Sequence, residues 1–196
     1  RYCQENGYAG MEWAIGVPGT VGGAVVNNAG AHGTELSDSL FHAVVYEPEH
    51  GARLYTADEL QYDYRYSTLK MREDRRFMVL LATFKLKEDN PREIQNRMNE
   101  YNAYRKATQP PGASLGSIFK NPPDDYAGRL IETAGLKGYQ IGAIQVSSAH
   151  ANFFVNTGEE ATATDYFKLI RHVQQIVREK LSVDLELEIQ MVGEWK

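Results

Sequence analysis

Apolar and polar positions along the chain switch between a period of two and a period near 3.6, and the switches outline the elements. Phe41–Glu47 and Ala52–Thr56 are β-rich runs joined by Pro48-Glu49-His50-Gly51, a hairpin signal. Thr56-Ala-Asp58-Glu59-Leu60 has the form of a capped helical turn. Arg76–Lys87 is a long β-rich run, apolar first and then alternating. Asn90-Pro91 marks a break, with Pro91 suited to a first helical position. Arg92–Thr108 follows as a helix with Ile94, Met98 and Tyr101 on one face, stopped by Gln109-Pro110-Pro111-Gly112. Tyr126–Ala134 is a short helix closed by Gly135, and Ile141–Val146 and Asn152–Asn156 are strands. Thr164–Leu181 carries the strongest helical pattern: Tyr166, Leu169, Ile170, Val173, Ile176, Val177 and Leu181 form a stripe that belongs to a core. Val183–Val192 alternates as a final strand, with Val183, Leu185, Leu187, Ile189 and Met191 on one side and Asp184, Glu186, Glu188 and Gln190 on the other. The pattern predicts an α+β protein with a domain boundary near residue 90.

The run from Gly16 to Gly33 stands outside this scheme. It holds six glycines and Pro18 in eighteen residues, yet is apolar through its middle. Pro18 sets a turn, Gly19 and Thr20 follow, and Gly22-Gly23-Ala24-Val25-Val26 has the form of the first turn of a short buried helix. Unpaired amides at such a start favour an anion, typically phosphate. The pattern is neither GxGxxG nor GxxxxGK[ST]. A tight turn between packed elements would look the same.

Composition narrows the function classes. The chain has 196 residues and a net charge of −5, without the basic face usual in a nucleic-acid binder. No apolar run approaches the roughly 20 residues of a membrane helix, and no signal peptide is visible. Cys3 is the only cysteine, which excludes an intrachain disulfide and fits a reducing cytoplasm. The start, without Met and close to a functional-looking loop, suggests an N-terminal truncation.

Several clusters carry candidate chemistry. Arg65 lies among tyrosines in Tyr62-Asp63-Tyr64-Arg65-Tyr66-Ser67; this is either a surface cation–π cluster or an arginine held to pair with a carboxylate or enolate. Gly116-Ser117-Ile118-Phe119-Lys120-Asn121-Pro122 brings a hydroxyl, an ammonium and an amide together. Ser117 lacks the GxSxG context of a hydrolase elbow, and serine after glycine is commonly a turn residue. His150 precedes a strand, and its counterparts His32, His42, His50 and His172 offer no metal spacing, so no metal site is expected. Glu188 shares the polar side of the last strand with Glu186, and the residues alone do not choose between them.

Taken together, these segments resemble the UDP-N-acetylenolpyruvoylglucosamine reductase family. The matching stretches are Gly10–Ala24, Asn28–Ala31, Asp63–Ser67, Gly116–Pro122, Ala127–Ile131, Leu136–Gly138, His150–Asn156 and Glu188–Gly193, in the family's order and across the chain. The resemblance implies FAD and NADPH as cofactors, peptidoglycan precursor synthesis as the setting, and UDP-N-acetylglucosamine enolpyruvate as the partner, reduced to UDP-N-acetylmuramate. A monomer is expected, and charge and hydropathy point to no nucleic-acid or membrane partner. Hydride would reach the vinyl C3 carbon from the flavin. Arg65 would polarise the substrate carboxylate, Glu188 would assist there as a protonated acid, and Ser117 would give a proton to C2. Gly16, Pro18, Gly19, Thr20, Gly22, Gly23 and Asn28 would lie on the cofactor; Lys120, Asn121 and His150 would hold the UDP-sugar, and Arg105 its diphosphate.

The implied architecture is the second lobe of a two-lobed FAD-binding domain (1–90), a UDP-sugar domain (91–183) and a C-terminal strand returning to the flavin lobe (184–196). Thr20 stands where the family often has Ser, Asn27 where Met is common, and His150 where some members have Gln. The short stretch from Ser67 to Ser117 resembles the subclass without an extra substrate-covering tyrosine loop. The family's N-terminal lobe has no counterpart here, so the chain alone is expected to bind FAD weakly and to be inactive. Two rival readings are another oxidoreductase of the same flavin superfamily, such as an aryl-alcohol or sugar oxidase, and a non-catalytic UDP-sugar binding module.

Overall fold

The computed structural model describes residues 1–194. The chain divides into two compact units, Arg1–Tyr104 and Arg105–Lys196.

The first unit opens with a helical turn, α1 (Tyr2–Glu5), and a short strand, β1 (Tyr8–Ala9). The helix α2 (Val21–Asn27) and the hairpin β2 (Gly30–Ala31) and β3 (Thr34–Glu35) follow. Then come β4 (Leu40–Glu47), β5 (Gly51–Thr56), the turn α3 (Ala57–Leu60), β6 (Met78–Phe84), β7 (Lys87–Glu88) and α4 (Pro91–Thr108), whose last four residues are counted with the second unit. β4 is the centre of an antiparallel sheet in the order β5-β4-β6, and β1 pairs with β7. The expected hairpin forms, with Glu47 opposite Gly51. Alternation along β4 turns Ala43 and Val45, both fully buried, towards Trp13, Val25, Leu36, Leu60 and Leu69. The capped turn expected at Thr56–Leu60 forms, as a capping box in which Thr56 and Glu59 each bond the other's backbone amide.

The second unit holds β8 (Ser114–Ser117), α5 (Ala127–Thr133), β9 (Gln140–Ile141), β10 (Ile144–Val146), β11 (Phe153–Asn156) and α6 (Ala163–Leu181). Its antiparallel sheet runs β8-β11-β10-β9. The stripe on α6 packs as the periodicity required, with Leu169, Ile170, Val173 and Val177 buried against Ile118, Phe119, Ile131 and Phe154. Thr162 caps α6 by accepting from Asp165 N–H at 3.1 Å.

Three expectations differ from the structure. The strand expected over Ile141–Val146 is a hairpin: Gly142, at φ +55°, reverses the chain so that Ile144 pairs with Ile141. The strand expected over Val183–Val192 makes one bridge, Leu187 with Phe119, flanked by Lys120 N–H to Glu186 O (2.8 Å) and Glu188 N–H to Ile118 O (2.9 Å). Its apolar residues still pack on the core of the second unit, so the faces were legible although the ladder is not extended.

The third concerns domains. The division falls at 104/105 rather than near 90, because Ile94 is 1% exposed and Arg97 binds Glu12 and Asp89. The segment from 184, expected to return to the first lobe, buries Leu185 in the second core; Trp195 and Lys196 lie outside the described residues.

Candidate functional site

The glycine-rich run forms an exposed turn that leads into α2. Gly16, Pro18, Gly19 and Thr20 are exposed. Gly19 has φ +125°, a conformation that L side chains rarely adopt. Thr20 is the N-cap: its Oγ1 accepts from Gly23 N–H at 3.0 Å. A Cβ on Gly22 would stand 3.4 Å from Val79 Cβ, an ordinary packing distance, so α2 lies directly against β6 at this point. Just before the turn, Trp13 is buried, and its Nε1–H has no hydrogen-bond partner among the described residues.

The other end of α2 explains the tyrosine-rich motif. A helix leaves its last carbonyls unpaired, and the segment Tyr62–Ser67 takes them. Tyr62 OH donates to Val25 O at 2.8 Å and Ser67 Oγ to Val26 O at 2.5 Å. Burial pushes the Tyr62 phenol well above its ordinary pKa, so it stays a donor. Asp63 and Tyr66 bond across a tight turn with Arg65 at φ +53°. A left-handed arginine costs on the order of 1 kcal/mol, which its contacts must offset.

From that position the guanidinium reaches back to α2 and β2. Its Nη2 donates to Gly30 O at 2.9 Å and its Nη1 to Asn28 O at 3.4 Å, while Tyr64 lies under it at 5.0 Å. Nη1 also stands 3.9 Å from Glu35 Oε1. Lys70 Nζ donates to Arg65 O at 2.8 Å. Asn28, expected on the cofactor, is fully buried at φ +45° with its side-chain amide committed to the chain itself. It donates to Glu35 Oε2 (2.7 Å) and Asp63 O (3.1 Å) and accepts from Ser37 N–H (3.0 Å).

In the second unit, Ser117 ends β8 opposite Phe153 and is half-buried. Glu188, also half-buried, lies on the segment paired with Ile118, so these two candidates occupy adjacent segments of one unit. Arg65 belongs to the other unit. Glu186, level with Glu188 in the sequence pattern, is exposed and pairs with Lys120. Asn121 Oδ1 accepts from Ala127 N–H at 3.1 Å and so closes the start of α5. His150 Nδ1 accepts from Asn152 N–H at 3.3 Å, which leaves the ring proton on Nε2. Burial lowers its pKa, and nearby Lys137 adds to the effect, so the ring is held neutral. Gly128 leaves room for this ring: a Cβ there would be 3.2 Å from His150 Cε1. Arg105 is half-buried, and burial lowers its pKa; its guanidinium has no ion pair or hydrogen bond among the described residues.

Sequence reasoning missed the residues that hold these in place. Asn152 is 3% exposed and grips Phe119 from both sides, accepting from its N–H (3.0 Å) and donating to its O (2.8 Å). Ser67 and Glu35 do similar work beside Arg65. The only signal was a polar residue inside an apolar run, as in His150-Ala-Asn152-Phe-Phe. Among the described residues no group of three His, Cys, Asp or Glu side chains is placed to hold a metal ion, and no helix is long and apolar enough to cross a membrane.

The chain is thus an α+β protein whose polar clusters sit on a glycine-rich turn in one unit and a serine-bearing strand end in the other. Residues 107–192 match the family model for the C-terminal domain of UDP-N-acetylenolpyruvoylglucosamine reductase. Over those residues the chain carries the pattern of that family's C-terminal domain. It is similar to the UDP-N-acetylenolpyruvoylglucosamine reductase of Listeria innocua (45% identity, 100% of this chain and 65% of that protein) and that of Listeria welshimeri (47%, 99% and 64%). It also resembles the crystal structure of UDP-N-acetylenolpyruvylglucosamine reductase from Thermus caldophilus, with a TM-score of 0.83, 39% identity, and coverage of 96% of this chain and 66% of that one. The chain therefore spans just under two thirds of the length of these relatives.

Proposed function

We propose that this chain is the flavin-facing second lobe and the substrate-binding part of an enzyme that reduces the enolpyruvyl ether of UDP-N-acetylglucosamine to UDP-N-acetylmuramate. NADPH is the reductant and FAD the carrier. The observation that carries this reading is the state of Arg65. Its guanidinium is held at two backbone carbonyls from a strained backbone position, stacked on Tyr64. That is the preorganisation expected of a group that meets developing negative charge.

The turn from Gly16 to Gly23 fits FAD. It is exposed, opens a helix, and keeps glycine at a φ that would strain any side chain, so a phosphate can approach the backbone. When bound, FAD supplies the hydride, drawn from NADPH, for C3 of the vinyl group. Arg65 binds the substrate carboxylate and stabilises the charge that gathers there as the double bond is reduced. Ser117 Oγ gives the proton to C2, and Glu188 assists at the carboxylate. Asn121 and the Nε2–H of neutral His150 hold the UDP-sugar, with the unpaired Arg105 at the diphosphate. Lys120 joins them by exchanging Glu186 for substrate oxygen.

The test uses the polypeptide completed to its relatives' length. A yellow protein that bleaches with NADPH and regains its flavin band on adding the enolpyruvyl UDP-sugar supports the reading. Ser117→Ala should leave bleaching intact and slow reoxidation by substrate. A colourless protein that still binds UDP-sugar would overturn it in favour of a binding module.

A further inference from the structure

Arg65 cannot hold its own position. Its backbone is strained, and the two carbonyls it bonds, Asn28 O and Gly30 O, lie either side of Ala29 where α2 passes into the β2–β3 hairpin. What fixes those carbonyls fixes the guanidinium. Glu35 is placed to do both. Its Oε2 accepts from Asn28 Nδ2 at 2.7 Å, and its Oε1 stands 3.9 Å from Arg65 Nη1. The backbone of Glu35 is itself held: Asp38 Oδ2 accepts from Glu35 N–H at 2.8 Å. Gly30 lies against Glu35 across the hairpin, where a Cβ would meet Thr34 O at 2.7 Å and Glu35 Cγ at 2.9 Å. Asn28 completes the chain of contacts by donating to Asp63 O, the first residue of the turn that carries Arg65.

We infer that Glu35, acting with Asn28, is the positioning residue for Arg65. It orients the guanidinium through an anchored carboxylate and through the loop carbonyls, without itself touching substrate. The inference rests on the proposed role of Arg65 at the substrate carboxylate. The distance matters. At 3.9 Å the pair is outside hydrogen-bond range, so Glu35 attracts the guanidinium without occupying its N–H groups. A carboxylate in direct bidentate contact would instead compete with the substrate's own.

The experiment is a double-mutant cycle on the completed, flavin-loaded polypeptide, with Glu35→Gln, Glu35→Ala, Arg65→Lys and the two combinations. The oxidative half-reaction with the enolpyruvyl UDP-sugar gives kcat and KM, and equilibrium binding of UDP-N-acetylglucosamine, which lacks the carboxylate, gives a second readout. Glu35→Gln keeps the bond to Asn28 and removes the charge. It should lower kcat about threefold to tenfold with KM and UDP-N-acetylglucosamine affinity unchanged; Glu35→Ala should lower kcat further. In an Arg65→Lys background, either Glu35 change should have less than a twofold effect.

A full, additive loss in that background would overturn the inference, because Glu35 would then act without Arg65. Wild-type kcat in Glu35→Gln would overturn it too, and this variant decides the matter if Glu35→Ala does not fold. Should Arg65→Lys alone leave kcat intact, it is the underlying role of Arg65 that fails, a distinguishable result.

Discussion

Asn152→Ala tests how the second unit holds its candidate site. The side chain is 3% exposed and satisfies both the N–H and the carbonyl of Phe119, at 3.0 and 2.8 Å. Truncation leaves both backbone groups without partners in a place where Ile118 and Phe119 are fully buried. Each stranded group costs about 1–3 kcal/mol. Because the two share one relaxing strand, the losses do not simply add, and the expected destabilisation is about 3 kcal/mol. For a unit of this size that is a fall in melting temperature on the order of 10–20 °C. Urea titration followed by circular dichroism measures it, with an unchanged slope showing that the unfolded state is the same. Asn152→Asp is the companion variant: it keeps an acceptor for Phe119 N–H but turns a second oxygen on the Phe119 carbonyl, so it should cost at least as much. A loss below about 1 kcal/mol for the alanine variant at unchanged slope would mean water replaces the amide, and the argument that Asn152 fixes the Ser117–Phe119 segment would fail.

Other outcomes follow from the same geometry. Gly30→Ala should disrupt the β2–β3 hairpin, since its Cβ would meet backbone at 2.7 Å; a melting temperature within 2 °C of wild type would contradict this. Glu47 is nearly buried, and the Tyr55 hydroxyl, then Arg72, hold its carboxyl below the usual value of 4.5. A carboxylate depressed in the folded state stabilises above its unfolded pKa and loses that contribution as pH falls. The first unit should therefore weaken below about pH 4.5, and Glu47→Gln should flatten that slope; equal slopes in both proteins would refute it. His150, its pKa lowered by burial, should titrate in an NMR experiment below its ordinary 6.5, and a midpoint at or above that value would remove the case for a neutral Nε2–H donor.

The sequence by itself determined most of the elements, because their signals are local. The α6 stripe is a period of side chains on one cylinder, the Thr56–Glu59 box closes within one turn, and Pro91 opens α4 by its missing amide. It also determined the inward side of 183–192, since alternation needs no partner to be read. The resemblance singled out Arg65, Ser117 and Glu188 as candidates from their motifs.

Tertiary structure decided what those residues lean on. That Val25 and Val26 end a helix whose carbonyls need Tyr62 and Ser67, 37 and 41 residues away, cannot be written in either segment alone. That Asn28 is a buried brace, and Asn152 a clamp on a strand 33 residues distant, depends on which backbone groups burial leaves unpaired. Glu186 and Glu188 share one pattern and separate only because Lys120 meets the first, while the second lies along Ile118. The boundary at 104/105 has the same origin: Arg97 ties α4 to Glu12, 85 residues earlier, and a break at Asn90-Pro91 marks where a helix starts, not which unit it joins.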